Sequence, residues 1–151
     1  MKSRIVILSI IFTLFSITLF AQGIRLSESN RVNVVDITVA PGINKVGDKI
    51  IQFNFIKFKK RSKEIDTKQM VFYTQSGKEI KLLDVLKDTT FISSQYSTSW
   101  YVTFRLSPEQ INLLKSENVG QLVFNMGGKQ YSRDIPISKA VEIKNTFVKY
   151  F

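Results

Sequence analysis

The chain has 151 residues, with 22 Lys and Arg against 12 Asp and Glu and neither His nor Cys, so its formal net charge at pH 7 is +10. Its 44% hydrophobic and 23% charged residues are typical of one folded domain rather than of a disordered chain. The lack of His and Cys excludes Ser-His and Cys-His nucleophile pairs, zinc sites built on those ligands, disulfides, and a lipid anchor on an N-terminal cysteine.

The first 21 residues have the pattern of a secretory signal peptide. Lys2 and Arg4 precede an uncharged stretch over residues 5–20, and Ala21 supplies the small residue expected at a cleavage site. We therefore predict cleavage after Ala21. Removal of 21 of the 151 residues leaves an exported chain of 130 residues with a net charge of +8, because both leading cations are lost.

An uncleaved membrane anchor is the alternative interpretation of this segment. No charge occurs between Arg4 and Arg25, and about 20 apolar residues are enough to span a bilayer. Four Ser and Thr residues dilute the hydrophobicity of the stretch and favour cleavage. Both interpretations place the remainder, residues 22–151, outside the cytoplasm as a single periplasmic or secreted domain that folds on its hydrophobic core alone.

Two segments in the first half of the exported chain have the alternation of β-strands. Ile51, Phe53 and Phe55 alternate with polar residues within residues 49–59, which predicts a strand with one buried face. In residues 31–39 the apolar positions change parity after Val34, which predicts a strand containing a β-bulge or a bend.

A basic run follows, with five cations in seven residues. The five are Lys57, Lys59, Lys60, Arg61 and Lys63. One interpretation is a solvated sheet edge that its charge protects from pairing with other sheets. The other is a contact surface for a polyanion, either an acidic polysaccharide or an anionic membrane surface.

Two hairpins are indicated by glycine turns. Residues 70–74 and 79–82 flank Ser76-Gly77, and residues 121–124 and 130–132 flank Gly127-Gly128. Glycine adopts the positive φ that tight hairpin turns require. Gly127-Gly128-Lys129 lacks the spacing of a phosphate-binding loop, so we predict a turn there as well.

The clearest strand runs from Tyr96 to Leu106, and a weaker one covers residues 90–93. Even-numbered positions of the longer strand, including Trp100 and Phe104, are predicted to face the core. Tyr101 lies on the opposite face and is the aromatic residue we consider for ligand contact.

Two helices are predicted in the second half of the chain. Ser107-Pro108-Glu109-Gln110 has the pattern of a capping box and predicts a short helix that ends near residues 118–120. A C-terminal amphipathic helix is predicted to start with Ser138 as its N-cap. Its apolar stripe, predicted to pack on the sheet, consists of Ala140, Ile143, Phe147, Val148 and Phe151. A partner-binding or membrane-lying helix is the alternative.

These elements predict a mainly β domain. An antiparallel β-sandwich with a short mid-chain helix and a C-terminal helix is the first choice, and a single curved sheet that carries both helices is the alternative. Asp84 and Asp88 flank a turn without the ligand density of a calcium loop, and the sequence indicates no cofactor and no specific nucleic-acid motif.

The expected function is that of a non-enzymatic exported domain of the cell envelope with a binding or structural role. One alternative is a peripheral protein that binds an anionic membrane or polysaccharide through Lys57 to Lys63. The other is a hydrolase that depends on two carboxylates, for which the sequence supplies acids but no indicative spacing.

Overall fold

The computed structural model describes residues 19–26, 35–57, 65–93 and 97–151, and only the backbone for residues 65–68 and 87–93. The described residues form ten strands and two helices. The strands are β1 (Leu19–Phe20), β2 (Ile24–Arg25), β3 (Asp36–Ile43), β4 (Lys49–Lys57), β5 (Ile65–Thr74), β6 (Glu79–Leu82), β7 (Val85–Ser93), β8 (Thr98–Arg105), β9 (Val119–Met126) and β10 (Lys129–Asp134). The helices are α1 (Pro108–Ser116) and α2 (Ile137–Tyr150). None of the helices in these ranges is both long and apolar enough to cross a membrane.

The strands form two antiparallel sheets. The six-stranded sheet has the order β1, β3, β4, β8, β7, with β2 also paired to β3. The four-stranded sheet has the order β10, β9, β5, β6. Ring contacts join their inner faces, with centroids 5.1 Å apart for Phe55 and Phe124 and 5.6 Å apart for Phe53 and Phe72. The mainly β prediction is confirmed, and the two sheets pack face to face as a sandwich.

The alternation predicted for residues 96–106 is confirmed over β8. Trp100 and Phe104 are fully buried, whereas Tyr101 lies half-buried on the outer face of the six-stranded sheet. Phe53 and Phe55 of β4 are also fully buried. Large aromatic side chains therefore fill the space between the sheets, as period-two alternation requires.

Three strand predictions extend beyond the described residues, and one of them is the strand predicted to start at Tyr96, a residue outside those described. Strand β3 pairs with β4 from Asp36 to Ile43 without a register shift, and the predicted parity change near Val34 lies outside the described residues. Strand β4 ends at Lys57, so residues 58–59 of the predicted strand also lie outside them.

Both predicted hairpins are present. Gly77 turns β5 into β6 with φ +87°, and Gly127 and Gly128 join β9 to β10 with φ of +57° and +76°. Residues with a Cβ rarely adopt this conformation, so the glycines are required by the turns. Strand β10 begins at Lys129, one residue before the predicted strand start at residue 130.

The capping box of α1 is formed as predicted. The Gln110 backbone N–H donates to Ser107 Oγ at 3.2 Å, and the Ser107 N–H donates to Gln110 Oε1 at 2.8 Å. Ile111 and Leu114 of α1 are buried.

The predicted start of α2 is wrong. The N-cap is Pro136 rather than Ser138, because the Ala140 N–H already donates to the Pro136 carbonyl at 2.9 Å. Ser138 therefore lies within the first helical turn.

The predicted apolar stripe of α2 needs one correction. Ala140, Ile143 and Phe147 are buried, and Phe151 packs edge-on against Phe147 at 5.5 Å. Val148, which the prediction placed on this stripe, is 54% exposed because one residue beyond Phe147 turns it about 100° away from the buried face.

The sandwich has two different ends. The helical end contains the turn between β3 and β4 and the last residue of β8, Arg105, which pairs with Ile50 near the start of β4. Helix α1 joins β8 to β9 at the same end. At the basic end, Lys57 pairs with Thr98 and Ile65 pairs with Met126, beside the β9–β10 turn. The contact between Phe55 and Phe124, each two residues from its strand end, puts Lys57 and Met126 on the same side.

Candidate functional site

The basic end gathers cations from strands far apart in sequence. Lys57 is the last residue of β4, and Lys129 is the first residue of β10, next to the Met126 that pairs with Ile65. The predicted basic run joins Lys57 to the start of β5, and its remaining members Lys59, Lys60, Arg61 and Lys63 lie outside the described residues. Lys57 and Ile65, the described residues on either side of residues 58–64, both lie at the basic end.

Strand β10 forms one edge of the four-stranded sheet. Within the described ranges it pairs only with β9, and five of its six residues are exposed. Lys129, Tyr131 and Arg133 share one face because alternate residues of a strand do. Their partners on β9 are buried core residues, Met126, Phe124 and Leu122. This face of β10 therefore lies on the core side of the four-stranded sheet. Because β10 is an edge strand, side chains on this face still reach solvent, and Tyr131 is 38% exposed.

Tyr131 ends a row of rings that begins in the core. Its ring stacks on Phe124 with centroids 5.9 Å apart and an interplanar angle of 18°. Phe124 in turn contacts Phe55, and Phe55 stacks on Phe53 at 6.0 Å. We call Phe53, Phe55, Phe124 and Tyr131 the aromatic row. Because buried rings hold Tyr131 from one side, its ring is fixed before any ligand arrives.

Arg133 links the two sheets near this row. Its Nη2 donates to the Val35 carbonyl at 2.6 Å, which joins β10 to the residue before β3. Close by, Arg25 Nε donates to Asp36 Oδ1 at 2.9 Å. Burial lowers the pKa of Arg133 and the Asp36 carboxylate opposes that shift, and a guanidinium stays protonated in proteins. Arg133 therefore carries its charge in a fixed position.

Sequence reasoning singled out neither Tyr131 nor Arg133. The available signal was the period-two spacing of Lys129, Tyr131 and Arg133, although the predicted hairpin strand covers only residues 130–132. Which face they occupy depends on the pairing with β9, which local sequence does not reveal.

Tyr101, the predicted ligand contact, is not brought to the basic residues. It lies on the outer face of the six-stranded sheet, directly opposite Asn54 of β4. Nearby on this face, Gln52 Nε2 donates to Thr103 Oγ1 at 3.3 Å, and the buried Asn54 Oδ1 has no hydrogen-bond partner in the described part of the chain.

Two carboxylates at the helical end share one cation. Arg105 Nε lies 3.2 Å from Asp48 Oδ2, and Arg105 Nη1 lies 3.3 Å from Asp84 Oδ2. Asp84 is thus held by an ion pair, and the side chain of Asp88 lies outside those described. No group of three or more metal-ligating acids occurs among the residues the structure describes. The buried polar residues of those ranges are Thr74, Thr98 and Thr103.

A second polar cluster ties the β5–β6 turn to the end of α1. Ser76 Oγ donates to Glu117 Oε2 at 2.9 Å, and Lys78 Nζ donates to Glu117 Oε1. These two hydrogen bonds lower the pKa of Glu117 from its ordinary value, against a small opposing effect of burial. The cluster therefore joins the β5–β6 turn to the end of α1 through one hydrogen-bonded carboxylate.

Comparison with protein-family models, curated proteins and solved structures finds no match to this chain. The basic end differs from the other surfaces described here, because it combines cations, an exposed aromatic ring and an open strand edge.

Proposed function

We propose that this protein is a non-enzymatic exported domain of the cell envelope that binds an anionic partner through its basic end. The observation that carries the proposal is the grouping of charge by the fold. Lys57 and Lys129 lie at the end where the interval containing Lys59, Lys60, Arg61 and Lys63 both begins and ends, and the Arg133 guanidinium reaches the Val35 carbonyl, just before the start of β3 on that side.

The acids of this region reduce its positive charge without cancelling it. Asp36 is paired with Arg25, and Glu64 and Asp66 follow the basic run. Seven cations besides Arg25 remain against these two carboxylates and Asp134, which follows Arg133 on β10. At the helical end, in contrast, Asp48, Asp84 and Glu117 form ion pairs with Arg105 and Lys78.

A group of like charges at one end of a domain attracts a polyanion at long range. Each cation near an anionic surface contributes about 1 kcal/mol, whereas an exposed ion pair within a protein contributes about 0–1 kcal/mol. Such binding must weaken steeply with salt, because exposed charges are screened beyond about 8 Å at physiological ionic strength.

The test compares two triple variants of the protein purified after export. In one, Lys59, Lys60 and Arg61 are changed to Glu. In the matched control, Lys45, Lys115 and Lys149 are changed to Glu. The control changes the net charge by the same amount on the helical end and on α2, and thermal melts verify that both variants fold.

We expect the wild type to bind polygalacturonate or phosphatidylglycerol vesicles at low salt and to lose most of this binding at physiological salt. The control variant should keep it, and the basic-end variant should lose it. Equal binding by the basic-end variant and the wild type would contradict the proposal. Equal losses in both variants would also contradict it, because only net charge would then matter.

A further inference from the structure

We infer that the ligand of the basic end is an acidic polysaccharide, and that a sugar ring stacks on Tyr131 between Lys129 and Arg133. This inference rests on the proposed function and adds the chemical class of the ligand and the residues that recognise it.

Tyr131 has the features of a stacking platform. Phe124 supports its ring from the core side, and the residue remains 38% exposed. The face of an aromatic ring is electron-rich, and the C–H groups of a sugar ring are weakly positive, so the two surfaces attract each other. Because the ring is already held by the aromatic row, little side-chain freedom is lost when a ligand packs on it.

Lys129 and Arg133 lie on either side of Tyr131 along β10. Each lies two residues from Tyr131 on the same face, which separates the Cα atoms by about 7 Å. The contact with the Val35 carbonyl fixes the Arg133 guanidinium and uses one of its five N–H donors. Acidic groups on either side of a stacked sugar would therefore meet one flexible and one fixed cation.

The edge of β10 adds neutral recognition groups. The Ile135 N–H donates to the Gly120 carbonyl, so the odd-numbered residues of β10 bond to β9. The alternate residues Gln130, Ser132 and Asp134 consequently direct their backbone N–H and C=O groups to the outer edge. Sugar hydroxyls both donate and accept hydrogen bonds and can pair with such groups.

The distribution of exposed apolar residues argues against a bilayer as the ligand. Apart from Tyr131, the large hydrophobic side chains exposed within the described ranges lie at the helical end or on α2. They are Leu19, Phe20, Val46, Leu83, Ile137, Val141, Val148 and Tyr150. A surface that lies in a membrane interface combines cations with apolar side chains, and the described part of the basic end exposes Tyr131 as its one large hydrophobic side chain.

For the alternative in which the N-terminal segment is retained as a membrane anchor, the position of β1 supports the same choice. Leu19 and Phe20 pair with Ile43 and Gly42 at the helical end. An N-terminal anchor would thus attach the sandwich to its membrane by the end opposite to Lys57 and Lys129.

Single-stranded nucleic acid is the third polyanion that stacks on aromatic rings. Proteins that bind it present several aromatic side chains for successive bases. Tyr131 is the one exposed ring on the described part of the basic end, which suits one sugar ring within a chain of repeating charge.

The test uses four probes and two matched variants of the exported protein. The probes are polygalacturonate, its methyl-esterified form without the charges, phosphatidylglycerol vesicles, and single-stranded DNA. The variants are Tyr131→Leu and, as the control, Tyr101→Leu, which removes a half-buried strand tyrosine from the other sheet. Tyr131→Phe is the conservative variant, and thermal melts verify folding of all three.

We expect polygalacturonate to bind most tightly and its methyl ester to bind at least tenfold more weakly. Tyr131→Leu should weaken polygalacturonate binding about 2- to 10-fold, the effect of one lost aromatic contact, while Tyr131→Phe and Tyr101→Leu leave it unchanged. Lys129→Gln should weaken it as well and reduce its salt dependence.

Three results would overturn the inference. They are equal binding by Tyr131→Leu and the wild type, a loss confined to Tyr101→Leu, or tighter binding of vesicles or DNA than of polygalacturonate. The last would leave the proposed function standing with another ligand. If changing Lys59, Lys60 and Arg61 to Glu leaves polygalacturonate binding intact while Tyr131→Leu weakens it, the stacking site stands and the proposed charge-driven function fails.

Discussion

The helical end and the basic end share the same strands, yet different interactions dominate them. At the helical end, α1 and α2 bury Leu114 and Phe147, and most of the described carboxylates form ion pairs. At the basic end, the exposed surface consists of an open strand edge, a supported ring and cations. The comparison shows a domain whose packed helices and most of whose described ion pairs lie at one end, while its candidate binding groups lie at the other.

This separation has a physical reason. A group of like charges destabilises a compact fold by repulsion, and an exposed aromatic ring contributes less to stability than a buried one. Both can be retained where the remaining structure supplies enough stability. Here that stability comes from the core between the sheets and from the packed helices, so substitutions should affect the two ends differently.

The largest difference is expected between two aromatic residues. Phe147→Ala should destabilise the protein by about 3–5 kcal/mol, because the Phe147 side chain is fully buried on the inner face of α2. Tyr131→Ala should cost about half of that or less, since its ring already meets solvent. Urea unfolding of the two variants measures both losses, and equal losses would show that the basic end is as important to stability as the helical end.

A smaller effect is expected from the helix caps. Ser107→Ala should destabilise the protein by about 1 kcal/mol, because it removes the hydroxyl that accepts the Gln110 N–H. Ser138→Ala should cost less, since Ser138 lies inside the first turn of α2 and is not its N-cap. Thermal melts of the two variants measure both losses of stability. A larger loss for Ser138→Ala than for Ser107→Ala would show that Ser138 is the capping residue of α2.

The smallest effect concerns the pH dependence of the helical end. Lys78 and Ser76 lower the pKa of Glu117, so the folded state binds that proton more weakly than the unfolded state. The stabilisation is complete above the ordinary carboxyl value of 4.5 and is lost as the pH falls through the lowered pKa. The melting temperature of Glu117→Gln should therefore lie below that of the wild type at pH 7 and approach it near pH 3.

The control for this prediction is the same substitution in a Lys78→Met background. Without the lysine, most of the effect of Glu117→Gln on the melting temperature at pH 7 should disappear. If Glu117→Gln lowers the melting temperature by the same amount at pH 7 and at pH 3, Glu117 acts through packing and not through its charge.

Much of the fold was predictable because its signals are local. Alternation over β4 and β8, the glycines of both hairpins and the capping box of α1 each depend on neighbouring residues only. The start of α2 was not predictable in the same way. Ser138 has the ordinary chemistry of an N-cap, but the chain that leaves β10 becomes helical one residue after Pro136.

The candidate site was predictable only in part. Five cations within seven residues identify a basic segment from sequence, whereas its position beside Lys129 depends on the pairing of Ile65 with Met126. Arg133 contacts the Val35 carbonyl across 98 residues of chain, and Tyr131 stacks on Phe124 through strand register. Such placements come from the assembled sandwich, and no local pattern encodes them.

The complete burial of Trp100 also has an optical consequence. It is the chain's only tryptophan, and it pairs across the six-stranded sheet with Phe55. An indole shielded from water fluoresces at shorter wavelength than a hydrated one, so its emission shifts to the red when the core opens. Tyr131 is separated from Phe55 by the ring of Phe124. Tryptophan emission therefore reports unfolding of the core and remains nearly constant when a ligand occupies the basic end.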